Sequence, residues 1–130
     1  MIRSKRINGF KSGLEAKTAE WLKAQGIPVK YETEKIKFTQ PAKSRHYTPD
    51  FLLPNGICIE TKGLFDTHDR RKHVLIKEQY PFLDIRFVFS NSKKPIYKGS
   101  KTTYAKWCKK YGFKFADKEI PKSWLKERRN

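Results

Sequence analysis

A short turn between two strand-like runs constrains the fold of this chain more than any other sequence feature. Residues 47–53 and 57–62 are rich in the aromatic, aliphatic and β-branched residues that strands favour. The tripeptide Pro-Asn-Gly at 54–56 separates them. It suits a three-residue hairpin loop, because proline presets φ at the first position and glycine adopts the left-handed conformation at the third. The sequence therefore predicts an antiparallel hairpin in which Leu53 pairs with Ile57.

The register of this hairpin decides which charged side chains meet. In the register of a three-residue loop, Asp50 lies directly opposite Glu60, and such cross-strand partners share a face about 5 Å apart. Lys62, two residues beyond Glu60, lies on the same face. A two-residue loop would instead pair Asp50 with Thr61 and separate the carboxylates. The turn residues favour the first register, so we expect Asp50, Glu60 and Lys62 to converge.

Two neighbouring carboxylates repel each other, and a divalent cation relieves that repulsion. Mg²⁺ prefers hard oxygen ligands and commonly binds one or two carboxylates together with water and substrate phosphate. Lys62 beside the ion could activate the attacking water or stabilise charge on phosphorus. Two alternatives remain open at this point. Asp50 and Glu60 could form a solvated surface cluster bridged by Lys62, or Lys62 could only compensate charge.

The rest of the chain predicts an α/β fold class with helices packed on a mixed β-sheet. Residues 1–9 are expected to form a basic flexible arm and residues 10–130 a single domain. The expected elements in chain order are a helix from Ser12 to about Gly26, one or two strands within 29–38, a polar connection over 39–45, the hairpin, a helix begun by Asp66 or Thr67, a strand at 85–89, a helix from Ser100 or Thr102 to Gly112, a strand at 113–116 and a helical turn at 120–126.

The charge balance predicts a polyanionic partner. Thirty Lys and Arg against thirteen Asp and Glu give a formal net charge of +17, which is typical of nucleic-acid-binding proteins. An aromatic content of 14% argues against a disordered basic tail, and no apolar run of about eighteen residues occurs. Two widely spaced cysteines fit a reducing cytoplasm. Predicted phosphate contacts, each with solvated surface as the alternative, are Lys43, Arg45, Arg70, Arg71, Lys72, Lys93, Lys94, Lys98 and Lys101.

The spacing of Pro49-Asp50 and Glu60-Thr61-Lys62 resembles the PD-(D/E)xK nuclease signature. A longer series of motifs resembles the bacteriophage endonuclease I family, in the same order along nearly the whole chain. These motifs are FKSGLE at 10–15, YTPDFLLPNGI at 47–57, ETKGL at 60–64, DRRKH at 69–73, LDIR at 83–86, YKGS at 97–100 and KFADK at 114–118.

This resemblance implies an endonuclease with a PD-(D/E)xK core that resolves Holliday junctions. Such an enzyme cuts branched DNA during recombination by phosphodiester hydrolysis, leaves 5′-phosphate ends and uses Mg²⁺ or Mn²⁺, two per active site. The family's catalytic positions match Glu15, Asp50, Glu60 and Lys62. By the same match, Asp50, Glu60 and the main-chain carbonyl of Thr61 hold one metal, and the second lies between Asp50 and Glu15.

The resemblance also implies a homodimer that acts on four-way junctions in the host cytoplasm. Its protomers would exchange elements across a bridging segment at about 38–45, so that Glu15 of one chain completes the site of the other. Three alternatives stay open. Glu15 could simply form a capping box with Ser12. The enzyme could be a restriction- or repair-type nuclease of duplex DNA, or the chain could be a non-catalytic basic nucleic-acid-binding protein.

Overall fold

A mixed five-stranded sheet organises the molecule. The computed structural model describes residues 13–32, 34–40 and 43–128, with the backbone alone at 39–40 and 43–45. The elements are α1 (Gly13–Ala24), β1 (Lys30–Tyr31), β2 (Ile36–Gln40), β3 (Lys43–Tyr47), β4 (Phe51–Leu52), β5 (Cys58–Lys62), α2 (Thr67–Gln79), β6 (Ile85–Phe89), α3 (Tyr104–Tyr111), β7 (Lys114–Asp117) and α4 (Lys122–Lys126). The sheet order is β1-β4-β5-β6-β7. Its β1, β4 and β5 are antiparallel, whereas β5, β6 and β7 are parallel.

Helices cover both faces of the sheet, which confirms the predicted α/β class. Parallel neighbours need crossover connections, and α2 and α3 supply them between β5, β6 and β7. Alternate residues of β6 pack into two different hydrophobic cores. Phe87 and Phe89 pack with α2 and α3, while Val88 packs with Leu22 of α1 and Trp124 of α4. No helix among the described residues has the length and apolarity needed to cross a bilayer.

The predicted hairpin and its register are confirmed. Phe51 lies opposite Ile59, and the Leu53 amide donates to the Ile57 carbonyl at 2.9 Å. Gly56 has a φ of +90°, in the region that side-chain-bearing residues rarely adopt. The loop therefore has three residues, and its glycine occupies the left-handed position as expected.

The expected polar connection at 39–45 is wrong. β2 and β3 form a two-stranded antiparallel sheet that runs from Ile36 opposite Tyr47 to Gln40 opposite Lys43. Phe38 and Tyr47 are buried in the core that lies against α2. These apolar side chains hold the strands against the domain, although the intervening sequence is polar.

The helix boundaries follow the predicted capping chemistry in part. Asp66 caps α2, because its carboxylate accepts from the Asp69 amide at 2.9 Å. The start predicted for α3 is wrong, since its N-cap is Thr103 rather than Ser100 or Thr102. The expected arm at 1–9 and the Ser12 cap lie outside the described residues.

Candidate metal centre

Asp50 is fixed at the start of the hairpin by the strand that it faces. Asp50 is 7% exposed, and its Oδ2 accepts from the Thr61 amide at 2.9 Å and from the Thr61 hydroxyl at 3.1 Å. The hairpin register places Asp50 opposite Glu60, one residue before Thr61. Two hydrogen bonds thus hold one oxygen of Asp50 against β5.

Glu15 and Glu32 lie close to Asp50. Glu15 lies in the first turn of α1, is 5% exposed and accepts from the Tyr31 hydroxyl. One carboxylate oxygen from each of Glu15, Glu32 and Asp50 lies within 4.8 Å of the other two. These three carboxylates could share one cation. The capping-box alternative for Glu15 involves Ser12, which is not among the described residues, so that alternative stays open.

Sequence reasoning missed Glu32. It follows the short edge strand β1 and has a φ of +50°, which is uncommon for a residue with a side chain. Neither the hairpin register nor a helical period relates Glu32 to Asp50, because the two meet only when β1 pairs with β4. No local pattern in the sequence could have revealed this neighbour.

Glu60 is the most deeply buried of the predicted ligands, at 3% exposure. Burial, followed by the charge of Asp50, raises the pKa of Glu60 well above its usual value, while Lys62, Tyr47 and Lys72 act in the opposite direction. Its Oε1 has no hydrogen-bond partner among the described residues. Glu60 is not one of the three closely grouped carboxylates, but its charge interacts with Asp50. A buried carboxyl oxygen without a hydrogen-bond partner among the described residues therefore belongs to a group whose charge is felt by Asp50.

Lys62 ends β5 on the same face as Glu60. Its ammonium lies 3.6 Å from Asp69 Oδ1, and both side chains are partly exposed, at 18% and 23%. The first turn of α2 thus supplies a charge partner that the sequence did not predict. Lys62 also lowers the pKa of Glu60, so it compensates acidic charge within the site.

The donor set fits a hard divalent cation. Carboxylate oxygens, here from Glu15, Glu32, Asp50 and Glu60, are the ligands that Mg²⁺ and Mn²⁺ prefer in proteins. Glu15, Asp50 and Glu60 are buried, and a bound cation would offset the repulsion between neighbouring carboxylates.

Known proteins are similar to this chain along most of its length. The family described as phage endonuclease I matches residues 1–130. The chain belongs to this family. It is 54% identical over 123 residues to "Endonuclease I" of Escherichia phage T7, which covers 95% of this chain and 83% of that protein. It is 56% identical over 118 residues to "Endodeoxyribonuclease 1" of Enterobacteria phage T3, which covers 91% and 78% respectively. The endonuclease I resemblance expected from the sequence is thereby confirmed.

The predicted phosphate contacts of this endonuclease I family member fall into three groups. Arg70 is buried, and its guanidinium donates to the carbonyls of Phe65 and Ile96 and to the Thr67 hydroxyl. It anchors α2 to the residue segment before it and to the loop between β6 and α3, so its guanidinium is occupied inside the protein. The side chains of Lys43 and Arg45 lie outside the described residues. Lys72 is half-buried, and the exposed cations are Arg71, Lys93, Lys94, Lys98 and Lys101.

We predict that Glu60→Gln stabilises the metal-free protein at neutral pH. Because the pKa of Glu60 is raised, the folded state keeps a proton that the unfolded chain releases above about pH 4.3. Wild-type stability therefore falls as the pH rises from there through the raised pKa, whereas glutamine has no such proton to lose. Urea unfolding in EDTA between about pH 5 and pH 8 should show the variant gaining stability relative to wild type as the pH rises.

Glu34→Gln is the matched control. Glu34 pairs with Lys30 at 3.1 Å, and its side chain is 41% exposed. This variant should follow the wild-type pH dependence. Parallel curves for Glu60→Gln and wild type would contradict the interpretation of Glu60 as a buried acid.

Proposed function

We propose that this chain is a divalent-metal-dependent DNA endonuclease with a PD-(D/E)xK core that resolves four-way junctions. The observation that carries the proposal is the grouping of Glu15 and Asp50 within 4.8 Å, with Glu60 and Lys62 on the adjoining strand. It is supported by membership of a family whose relatives are named endonucleases. The host cytoplasm is the proposed place of action.

Each residue has a distinct proposed role. Asp50 and Glu60, with the main-chain carbonyl of Thr61, would hold one Mg²⁺ or Mn²⁺ ion, and Glu15 with Asp50 would hold a second. A metal bound there supplies Lewis-acid polarisation of a phosphoryl oxygen and lowers the pKa of bound water. The Lys62 ammonium would orient the attacking water and stabilise charge on the phosphate. The water oxygen then bonds to phosphorus as the bond to the 3′-oxygen breaks, which leaves a 5′-phosphate.

Glu32 extends this proposed ligand set. One oxygen of its carboxylate lies within 4.8 Å of an oxygen of Glu15 and of an oxygen of Asp50. We propose that Glu32 helps to hold the ion between Glu15 and Asp50, either directly or through a metal-bound water.

The positive surface is proposed to supply affinity rather than selectivity. A net charge of +17 predicts binding to phosphates that weakens steeply with salt. The exposed loop between β6 and α3 carries four of the predicted contacts, Lys93, Lys94, Lys98 and Lys101. Lys43, Arg45, Arg71 and Lys72 remain proposed contacts elsewhere on this surface.

A homodimer with exchanged elements is proposed to supply the selectivity. Glu15 and Glu32 precede the β2–β3 hairpin, whereas Asp50, Glu60 and Lys62 follow it. In an exchanged dimer, β2 of one chain would pair with β3 of its partner in the register that the two strands show here. Each site would then combine acids from both chains. Paired sites suit the paired cuts that a four-way junction requires.

We predict that Asp50→Asn abolishes junction cleavage but leaves junction binding intact. Cleavage in Mg²⁺ should fall by more than about a hundredfold, because even residues that merely orient metal ligands contribute about ten- to a hundredfold. Cleavage of a labelled four-way junction and of a matched duplex measures the activity, and gel shift in EDTA measures the binding.

Asp66→Asn is the matched control for that experiment. Asparagine caps a helix about as well as aspartate, so this variant should keep both stability and cleavage. Equal cutting of duplex and junction by wild type would favour a duplex nuclease instead. Binding without metal-dependent cleavage would favour a non-catalytic nucleic-acid-binding protein.

The exchange makes a separate prediction for mixed dimers. Co-refolding Glu15→Gln with Asp50→Asn should restore nicking, because one site of the heterodimer then receives Glu15 and Asp50 from the two unmutated halves. Co-refolding Asp50→Asn with Glu60→Gln should not restore nicking. Both substitutions lie after the β2–β3 hairpin, so each site of the heterodimer keeps one of them. Nicking assays on heterodimers purified through two different tags test this. Absence of recovery in the first mixture would contradict shared sites.

A further inference from the structure

Lys62 is held at both ends by parts of the structure outside the acidic cluster. It is the last residue of β5, and its carbonyl accepts from the Ser90 amide, just beyond β6, at 3.1 Å. At the far end of the side chain, the ammonium lies 3.6 Å from Oδ1 of Asp69 in the first turn of α2. The backbone contact fixes where the side chain begins, and the carboxylate contact fixes where its charge lies.

Asp69 has a fixed backbone because the start of α2 is anchored. The Asp69 amide donates to Oδ1 of the N-cap residue Asp66 at 2.9 Å. The next residue, Arg70, is buried, and its guanidinium donates to the carbonyls of Phe65 and Ile96. These contacts join the first turn of α2 to the segment before it and to the loop between β6 and α3. The Asp69 carboxylate therefore extends from a part of the fold that is held on two sides.

The ion pair lies on the same side of the sheet as Glu60. In the parallel pairing of β5 with β6, Glu60 lies beside Phe87 and Lys62 lies beside Phe89. Both phenylalanines pack in the core that contains Ile76 of α2. Because neighbours in register share a face of the sheet, Glu60 and Lys62 also lie on the α2 side. Asp69 therefore meets the ammonium on the face that carries a proposed metal ligand.

The pair is neither fully exposed nor buried. The side chains of Lys62 and Asp69 are 18% and 23% exposed. A fully exposed pair would be strongly screened by water and salt, and it would leave a long side chain mobile. Partial burial reduces that screening, while the remaining exposure leaves the pair accessible to a DNA phosphate.

We propose that Asp69 is a positioning residue for Lys62, its carboxylate holding the ammonium beside the proposed metal site, aimed at the attacking water and the scissile phosphate. The inference rests on the nuclease function proposed above. Lysine has a flexible four-carbon stem, and a fixed partner limits its positions before DNA binds. Charge placed in advance needs no rearrangement as charge develops on the phosphate. Asp69 is not one of the grouped carboxylates of Glu15, Glu32 and Asp50, so it acts through Lys62 and not on the metal.

Asp69→Asn tests the proposal, because it removes the negative charge and keeps the size of the side chain. The kcat for cleavage of a four-way junction in Mg²⁺ should fall about ten- to a hundredfold, since displacing a reacting group by about 1 Å can cost about a hundredfold. The KM for the junction should not rise, and the Kd for Mn²⁺, measured by calorimetry without DNA, should not change. A general disturbance of the fold would instead weaken both kinds of binding.

Glu78→Gln is the matched control. Glu78 is exposed near the opposite end of α2, about 13.5 Å along the helix from Asp69. This variant removes one negative charge from the same helix, and it should keep the wild-type kcat and KM. A fall in kcat equal to that of Asp69→Asn would assign the effect to net charge and overturn the proposal.

A double variant shows whether Asp69 acts through Lys62. If it does, adding Asp69→Asn to Lys62→Gln should not lower the residual kcat further. A full additional loss in the double variant would contradict the proposal, as would an unchanged kcat in Asp69→Asn alone. A raised kcat in Asp69→Asn would mean that Asp69 holds the ammonium away from the reaction, and a raised Kd for Mn²⁺ would mean that Asp69 acts on the metal. Either result would overturn the proposal.

The same measurements separate this inference from the proposed function. Cleavage by the wild type together with full activity of Asp69→Asn would overturn this inference and leave the nuclease proposal standing. Failure of the wild type to cleave DNA in Mg²⁺ or Mn²⁺ would overturn the nuclease proposal, and this inference with it.

Discussion

The hydrogen bond from Leu53 to Ile57 across a three-residue turn sets the register on which the rest of the site depends. A shift by one residue would turn every side chain of one strand to the opposite face. In the observed register, Asp50 and Glu60 oppose each other, and Thr61 can hold Asp50 through its amide and hydroxyl. The backbone geometry of this turn thus places two carboxylates close together, although their negative charges repel each other.

The site is acidic, although the molecule as a whole carries a large positive net charge. The chain carries a net charge of +17, yet Glu15, Asp50 and Glu60 are all less than a tenth exposed. Lys62 offsets part of this acidic charge but also lies near Asp69 of α2. Burial, followed by the charge of Asp50, still raises the pKa of Glu60 although Lys62 acts in the opposite direction. A divalent cation would offset more of this acidic charge, and the net positive charge of the chain would attract phosphates.

Local chemistry explains why parts of this structure could be predicted from sequence. The Pro-Asn-Gly turn and the Asp66 cap each depend on residues a few positions apart, and both were predicted. Glu15, Asp50, Glu60 and Lys62 came from a motif and from resemblance to a family, and the structure brings Glu15 to Asp50 within one chain. Their chemical roles remain proposals.

The remaining features depend on tertiary packing that no short window of sequence encodes. Glu32 reaches Asp50 only through the pairing of β1 with β4. Arg70 lies in a basic run typical of a surface, but carbonyls from two separate segments satisfy it in the interior. The composition of the segment at 39–45 is polar, so the sequence predicts a connection there. The segment instead belongs to a pair of strands, because the flanking Phe38 and Tyr47 are buried against α2.

The central claim is that Asp50 and Glu60 together bind a divalent metal, and anomalous scattering tests it most directly. Crystals of the protein grown with Mn²⁺ should give an anomalous difference peak within about 2.5 Å of carboxylate oxygens from both residues. The same peak should be absent from crystals of Asp50→Asn grown under identical conditions. A Mn²⁺ peak that lies away from Asp50 and Glu60, or that persists unchanged in the variant, would contradict the account.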